Sequence, residues 1–122
     1  MYLSGIVKQT YWADDLVRQH APPRCVCLFY LPKTNKPRSC IYGHANVKYR
    51  KIELAVSDLT MTVEKKHAVL HEIAHAIHDH QDPAAYRRAH AKAKGKKRVD
   101  LHPPAFWEIA RQLFAQYPEL YE

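Results

Sequence analysis

Thr62-Val63-Glu64-Lys65-Lys66-His67-Ala68-Val69-Leu70-His71-Glu72-Ile73-Ala74-His75-Ala76-Ile77-His78-Asp79-His80 is the stretch on which the reading of this chain turns. Thr62 is a good helix N-cap, and Glu64 falls in the first turn, where the helix dipole favours an acid. Val63, Ala68, Val69, Leu70, Ile73, Ala74, Ala76 and Ile77 supply a broad apolar surface. No Pro or Gly interrupts before Pro83, so the spacing predicts a helix over about 62–80. Inside it sits His71-Glu72-Ile73-Ala74-His75, an H-E-x-x-H sequence. Residues four apart share a helix face, about 6 Å apart along the axis. Two imidazoles can therefore reach one metal ion. Burying such polar groups on an apolar helix is costly unless they are paired or bound.

That motif defines a chemistry as well as a helix. Zinc lowers the pKa of a water beside it, and Glu72 stands one position from His71, where it can take the proton of the attacking water without being a ligand. His67 and His78 lie near the same stripe but a turn further away, and read as supporting or surface residues. His80 reads as a solvated helix end, with Asp79 and Asp82 marking the exit. A catalytic zinc site needs three protein ligands and one open position. The downstream candidates are His90, His102 and Glu108. His102 stands just before Pro103-Pro104, where a helix can begin. That helix is expected over 105–116, with Phe106, Ile109, Ala110, Leu113 and Phe114 as its apolar stripe. Glu108 lies on it, as the third ligand of some H-E-x-x-H enzymes does, and stays as the alternative to His102. His90 sits among lysines and reads as solvated.

Ala68-Val69-Leu70-His71-Glu72-Ile73-Ala74-His75 followed by His102-Pro103-Pro104-Ala105-Phe106-Trp107 resembles the SprT-like zinc metallopeptidases, in which the H-E-x-x-H helix precedes an H-x-P-x-F-W or H-G-x-x-F motif. The resemblance covers about 40–117 with a gap. It implies His71, His75 and His102 as zinc ligands, Glu72 as catalytic base, and a small sheet ahead of the active-site helix. It also implies that substrate adds to a sheet edge as an extended strand, for which 47–56 is the candidate strand. Two departures stand out. The motifs are closer together in near relatives, and no C-terminal zinc ribbon follows here before Glu122.

Among 122 residues, 47% are hydrophobic, which suits one globular domain over 1–122. No apolar run approaches 18 residues, so no membrane span is expected, and Met1-Tyr2-Leu3-Ser4-Gly5 does not open a signal peptide. Three cysteines, Cys25, Cys27 and Cys40, argue against a disulfide framework and fit the cytoplasm. The net charge of +7 has a local origin. Arg87, Arg88, Lys92, Lys94, Lys96, Lys97 and Arg98 fall in an insert at about 83–100 that separates the two motifs. Outside 87–98, 12 Lys and Arg match 12 Asp and Glu. The segment reads either as a solvated loop or as a non-specific contact to DNA phosphates or an acidic protein.

Upstream, 10–20 reads as a helix, and 24–31 as a strand rich in Val, Leu, Phe and Tyr. Residues 32–39 read as a hairpin loop, 40–45 and 47–56 as further strands, and 84–94 as a basic helix ending at Gly95. The last helix is expected to end at Pro118. The expected fold is α+β, with an antiparallel sheet of about three strands packed on helices and a zincin-like active-site helix. The expected function is zinc-dependent peptide-bond hydrolysis. The rival readings are a protein-binding module holding structural zinc without turnover, and a DNA-associated protein. Glu72 argues against a purely structural site, which needs no base. The oxyanion stabiliser could be Tyr42, His44, Tyr49 or Tyr86, with no ground for choosing.

Overall fold

The computed structural model describes residues 5–34, 38, 40–46, 50–84 and 102–121. The fold is α+β. In chain order come β1 (Ile6–Lys8), α1 (Tyr11–His20), β2 (Val26–Leu31), β3 (Tyr42–Asn46), β4 (Lys51–Ala55), α2 (Val63–Gln81), α3 (Pro104–Phe114) and a short 3₁₀ turn (Pro118–Tyr121).

Helix boundaries follow local chemistry. Thr10 accepts a hydrogen bond from the Ala13 N–H, and Thr62 accepts one from the Lys65 N–H, each at 3.2 Å. These caps satisfy donors that the first helical turn leaves open. Pro104 occupies the first turn of α3, where its missing N–H costs nothing. That helix ends at Phe114, before Pro118, which opens the 3₁₀ turn instead. The lead into α2 is tied down by Asp58, whose carboxylate accepts from Thr60 N–H at 2.9 Å and from Lys65 Nζ at 2.6 Å.

The sheet differs in detail from the expected antiparallel sheet of about three strands. It has four strands in the order β1-β2-β4-β3, and it is mixed. β1 pairs antiparallel with β2, β2 parallel with β4, and β4 antiparallel with β3. Residues 32–39 are therefore not a hairpin loop between paired strands. β2 and β3 are not neighbours, because β4 lies between them. The expected strand 47–56 corresponds to β4, which is paired on both sides and has no free edge. Among the described residues β1 and β3 are the edge strands. The physical reason is that β4 is the most apolar partner available to β2. Ile52 and Leu54 stand beside Cys27 and Phe29 in register, all four at 0–1% exposure.

These residues form the sheet side of the core. Val69, Leu70, Ile73 and Ala74 of α2 lie against them, Ala13, Leu16 and Val17 of α1 close one flank, and Phe106, Ala110, Leu113 and Phe114 of α3 close the other. Trp12 tilts against Phe29, ring centroids 5.5 Å apart, and its indole N–H donates to the Leu59 carbonyl at 3.1 Å. α2 is thus wedged between the sheet and α3, with one face free to serve the site. Among the described residues no helix is long and apolar enough to cross a membrane. Cys25, Cys27 and Cys40 are all free. The expected basic helix over 84–94, and the cations Arg87, Arg88, Lys92, Lys94, Lys96, Lys97 and Arg98, lie outside the described residues, apart from Ala84.

Candidate metal centre

The 3.6-residue period of α2 sends Val69, Leu70, Ile73 and Ala74 inward and leaves His71 and His75 one turn apart on the side facing α3. Phe106, fully buried at the start of α3, fixes where that helix meets α2. Pro103, extended at φ −68° and ψ 168°, carries the chain into α3 and brings His102 over α2.

The result is a convergence of three imidazoles. His102 Nε2 lies 3.1 Å from His75 Nε2 and 3.3 Å from His71 Nε2, and one donor atom from each ring lies within 4.8 Å of the other two. A zinc ion bound tetrahedrally by nitrogens at ~2.0–2.1 Å sets neighbouring nitrogens about 3.3–3.4 Å apart. His102 is therefore spaced from each of the other two histidines as a shared metal ion would require, and all three lie within reach of one ion. Aromatic packing holds the rings. His75 stacks on Phe106 with centroids 4.2 Å apart, and His102 stacks on Trp107 at 5.5 Å. Desolvation by the surrounding core lowers His71 to about 4 and His75 to about 3. Both are thus neutral, the form a metal ligand needs.

Glu72 lies beside this cluster without joining it. Its carboxylate approaches His71 Nε2 no closer than 3.9 Å. The side chain points toward β3, where a Cβ built on Gly43 would stand 3.5 Å from Glu72 Cγ. Glu72 is 7% exposed, and its Oε2 is buried with no hydrogen-bond partner. Burial raises its pKa to about 7. A buried carboxylate oxygen without a donor is costly unless something binds there. It is placed to take a proton near neutral pH.

The other sequence candidates separate cleanly. Glu108 is exposed and turned away, its carboxylate gripped by Arg111 at 2.5 Å and Gln112 at 3.1 Å. His67 is exposed and stacks on Phe114 at 4.6 Å, His78 is buried, and His80 is exposed at the end of α2. His90, Tyr49 and Tyr86 lie outside the described residues. Gly43 faces Glu72, and side chains alternate along a strand, so its neighbours Tyr42 and His44 point to the opposite face of the sheet. There His44 Nε2 lies 3.0 Å from Glu53, which also accepts the Tyr30 hydroxyl. Neither Tyr42 nor His44 faces the histidine cluster.

Sequence reading missed two residues here. Gly43 gave no signal, because its role is to let an edge strand approach Glu72. Asp79 reads as a helix exit but is 8% exposed inside α2. The signal was its place at i+7 from Glu72, on the same helical stripe. No family model, curated protein or solved structure matches this chain.

Proposed function

We propose that this protein is a zinc-dependent metallopeptidase of the SprT-like kind. The observation that carries the reading is the convergence of His71, His75 and His102 within 4.8 Å of one another, with buried Glu72 beside them. The three imidazoles would hold Zn2+, leaving a position open for water or substrate. When bound, zinc supplies Lewis acidity, polarising the peptide carbonyl and making water more acidic. The chain's own groups account for the rest. Glu72 accepts the proton of the attacking water and returns it to the leaving amine. A carboxyl poised near pH 7 does both. β3, as a terminal strand of the sheet, offers unpaired backbone groups to an extended peptide. Gly43 keeps that strand close to Glu72. The free cysteines fit a reducing compartment, and we place the activity in the cytoplasm.

The test is Glu72→Gln. The variant should keep about one zinc per chain and the parent fold, and should lose hydrolysis of casein or a fluorogenic peptide by at least ~100-fold. Wild-type activity should vanish with chelator and return with zinc. Turnover near wild type in Glu72→Gln would end the assignment of the base. A metal-free protein as purified, unable to take up zinc, would end the reading altogether.

A further inference from the structure

Two groups border the histidine cluster from different sides. Glu72 lies toward β3. Trp107 belongs to the first turn of α3. Its ring stacks on His102, inclined by 30°, and meets His71 and Phe106 edge-on with centroids 6.4 and 5.0 Å away. Its backbone N–H donates to the Pro103 carbonyl at 3.2 Å, which fixes the turn that carries it. The ring is therefore held in place by its neighbours, yet it is 51% exposed.

A half-exposed aromatic residue is ordinary when it stands alone on a surface. Trp107 does not stand alone. Among the described residues the exposed aromatic side chains are Tyr11, Tyr42 and Trp107, and Trp107 is the one in ring contact with the cluster. Core packing does not account for its place. The inward stripe of α3 is Phe106, Ala110, Leu113 and Phe114, and Trp107 lies off it. Charge does not account for it either. Arg111 follows one turn later on the same side of α3, and its guanidinium is engaged by Glu108 at 2.5 Å. An indole fixed on one side and open on the other is suited to apolar groups. It offers a large contact area with few rotatable bonds, which is why Trp so often anchors binding sites. An aromatic partner adds ring contacts to the area it buries.

We propose that Trp107 is the apolar wall of the substrate site, and that it selects a large apolar side chain, phenylalanine above all, on a residue next to the bond that is cut. The placement rests on the peptidase reading. Side chains of an extended peptide alternate between the two faces of a sheet. A peptide added to β3 therefore sends every second side chain to the face on which α2 and α3 pack. The histidine cluster marks where the bond is cut, and Trp107 lies against two of its three rings. The side chain that reaches the indole thus belongs to a residue flanking that bond.

The experiment measures binding, not turnover. Zinc-loaded Glu72→Gln protein is titrated by calorimetry with paired peptides that carry phenylalanine or alanine at each position in turn. At one position the phenylalanine peptide should bind about 10-fold tighter or more, as filling an apolar subsite does. Adding Trp107→Ala should shrink that gap below about 2-fold without loss of zinc, and Trp107→Phe, which keeps an aromatic face, should retain most of it. Tryptophan emission is read in the same titrations. It should shift to the blue when the phenylalanine peptide binds, and should stay put in Trp107→Phe, where Trp12 is the tryptophan that remains. Equal affinity for both peptides at every position, or no binding of either, would overturn the proposal. So would a phenylalanine preference that survives Trp107→Ala. If Trp107→Ala loses its zinc, the emission of the Glu72→Gln protein decides, because Trp107 is intact there. A bound peptide that leaves that emission unshifted would make Trp107 a prop for His102 and nothing more. A wild-type protein that binds with this preference but cuts nothing would sink the peptidase reading and leave the apolar wall standing.

Discussion

Burial is what turns individual side chains of this protein into chemical groups with particular duties. Glu72, His71 and His75 are ordinary residues on an ordinary helix until the sheet and α3 remove their water. Cys27 shows the same physics without function. It is fully buried on β2, and desolvation raises its thiol to about 12. A folded-state pKa above the unfolded value gives stability that is present below the unfolded pKa and lost as pH rises through the folded one. Cys27 should therefore steepen alkaline unfolding between about pH 9 and pH 12. At pH 8.5 iodoacetamide should label exposed Cys40 in the native protein and spare Cys27 until denaturant is added. Equal labelling rates of the two thiols in peptide maps would show that β2 opens far more readily than a core strand should.

At the scale of elements, legibility depended on how local the determining interactions are. α2 could be read because its cap, its apolar period and its motif all lie within about 20 residues. Thr62 caps it and the helix runs Val63–Gln81, within a residue or two of expectation. α3 could be read because Pro103-Pro104 signals a start without any tertiary information. The sheet could not be ordered. The pairing of β2 with β4 joins residues about 25 apart, and nothing within either strand announces a parallel partner. β1 was missed because all three of its residues are exposed and too few to show alternation. The glycine on β3 belongs to the same class. A Cβ at Gly43 would stand 3.2 Å from Leu54 Cγ and 3.3 Å from the Glu53 carbonyl, tighter than most packed contacts. Gly43→Val should push the edge strand outward, costing about 1–3 kcal/mol of stability. It should cut the proposed peptidase activity while leaving zinc content unchanged, because no histidine of the cluster lies on β3. Zinc loss in this variant would mean that the edge strand supports the ligands, and not only the approach to Glu72.

For the whole molecule, the histidine cluster is a long-range tie. His71 and His75 come from α2, and His102 comes from the approach to α3, across the basic segment of 85–101. His102 could be named from the sequence because Pro103-Pro104 follows it. Its distance from α2 could not, because that depends on Phe106 packing under His75. A ligand that binds only the folded protein stabilises it by about 4 kcal/mol at 1,000 times its dissociation constant. Zinc should therefore raise the thermal midpoint by roughly 10 °C or more for a domain of this size. His102→Ala removes one of the three proposed ligands and should abolish most of that shift while leaving the metal-free midpoint nearly unchanged. Glu108→Ala should keep the shift, since Glu108 serves only Arg111 and Gln112 at the surface. Calorimetric melts of the three proteins, with chelator and with one equivalent of zinc, decide the matter. If Glu108→Ala lost the zinc shift and His102→Ala kept it, the metal would have to be bound in an arrangement that this fold does not contain. Hydrogen exchange in the same samples should show zinc protecting the first turn of α3 along with the middle of α2, because a bridging ion makes their local openings a single event.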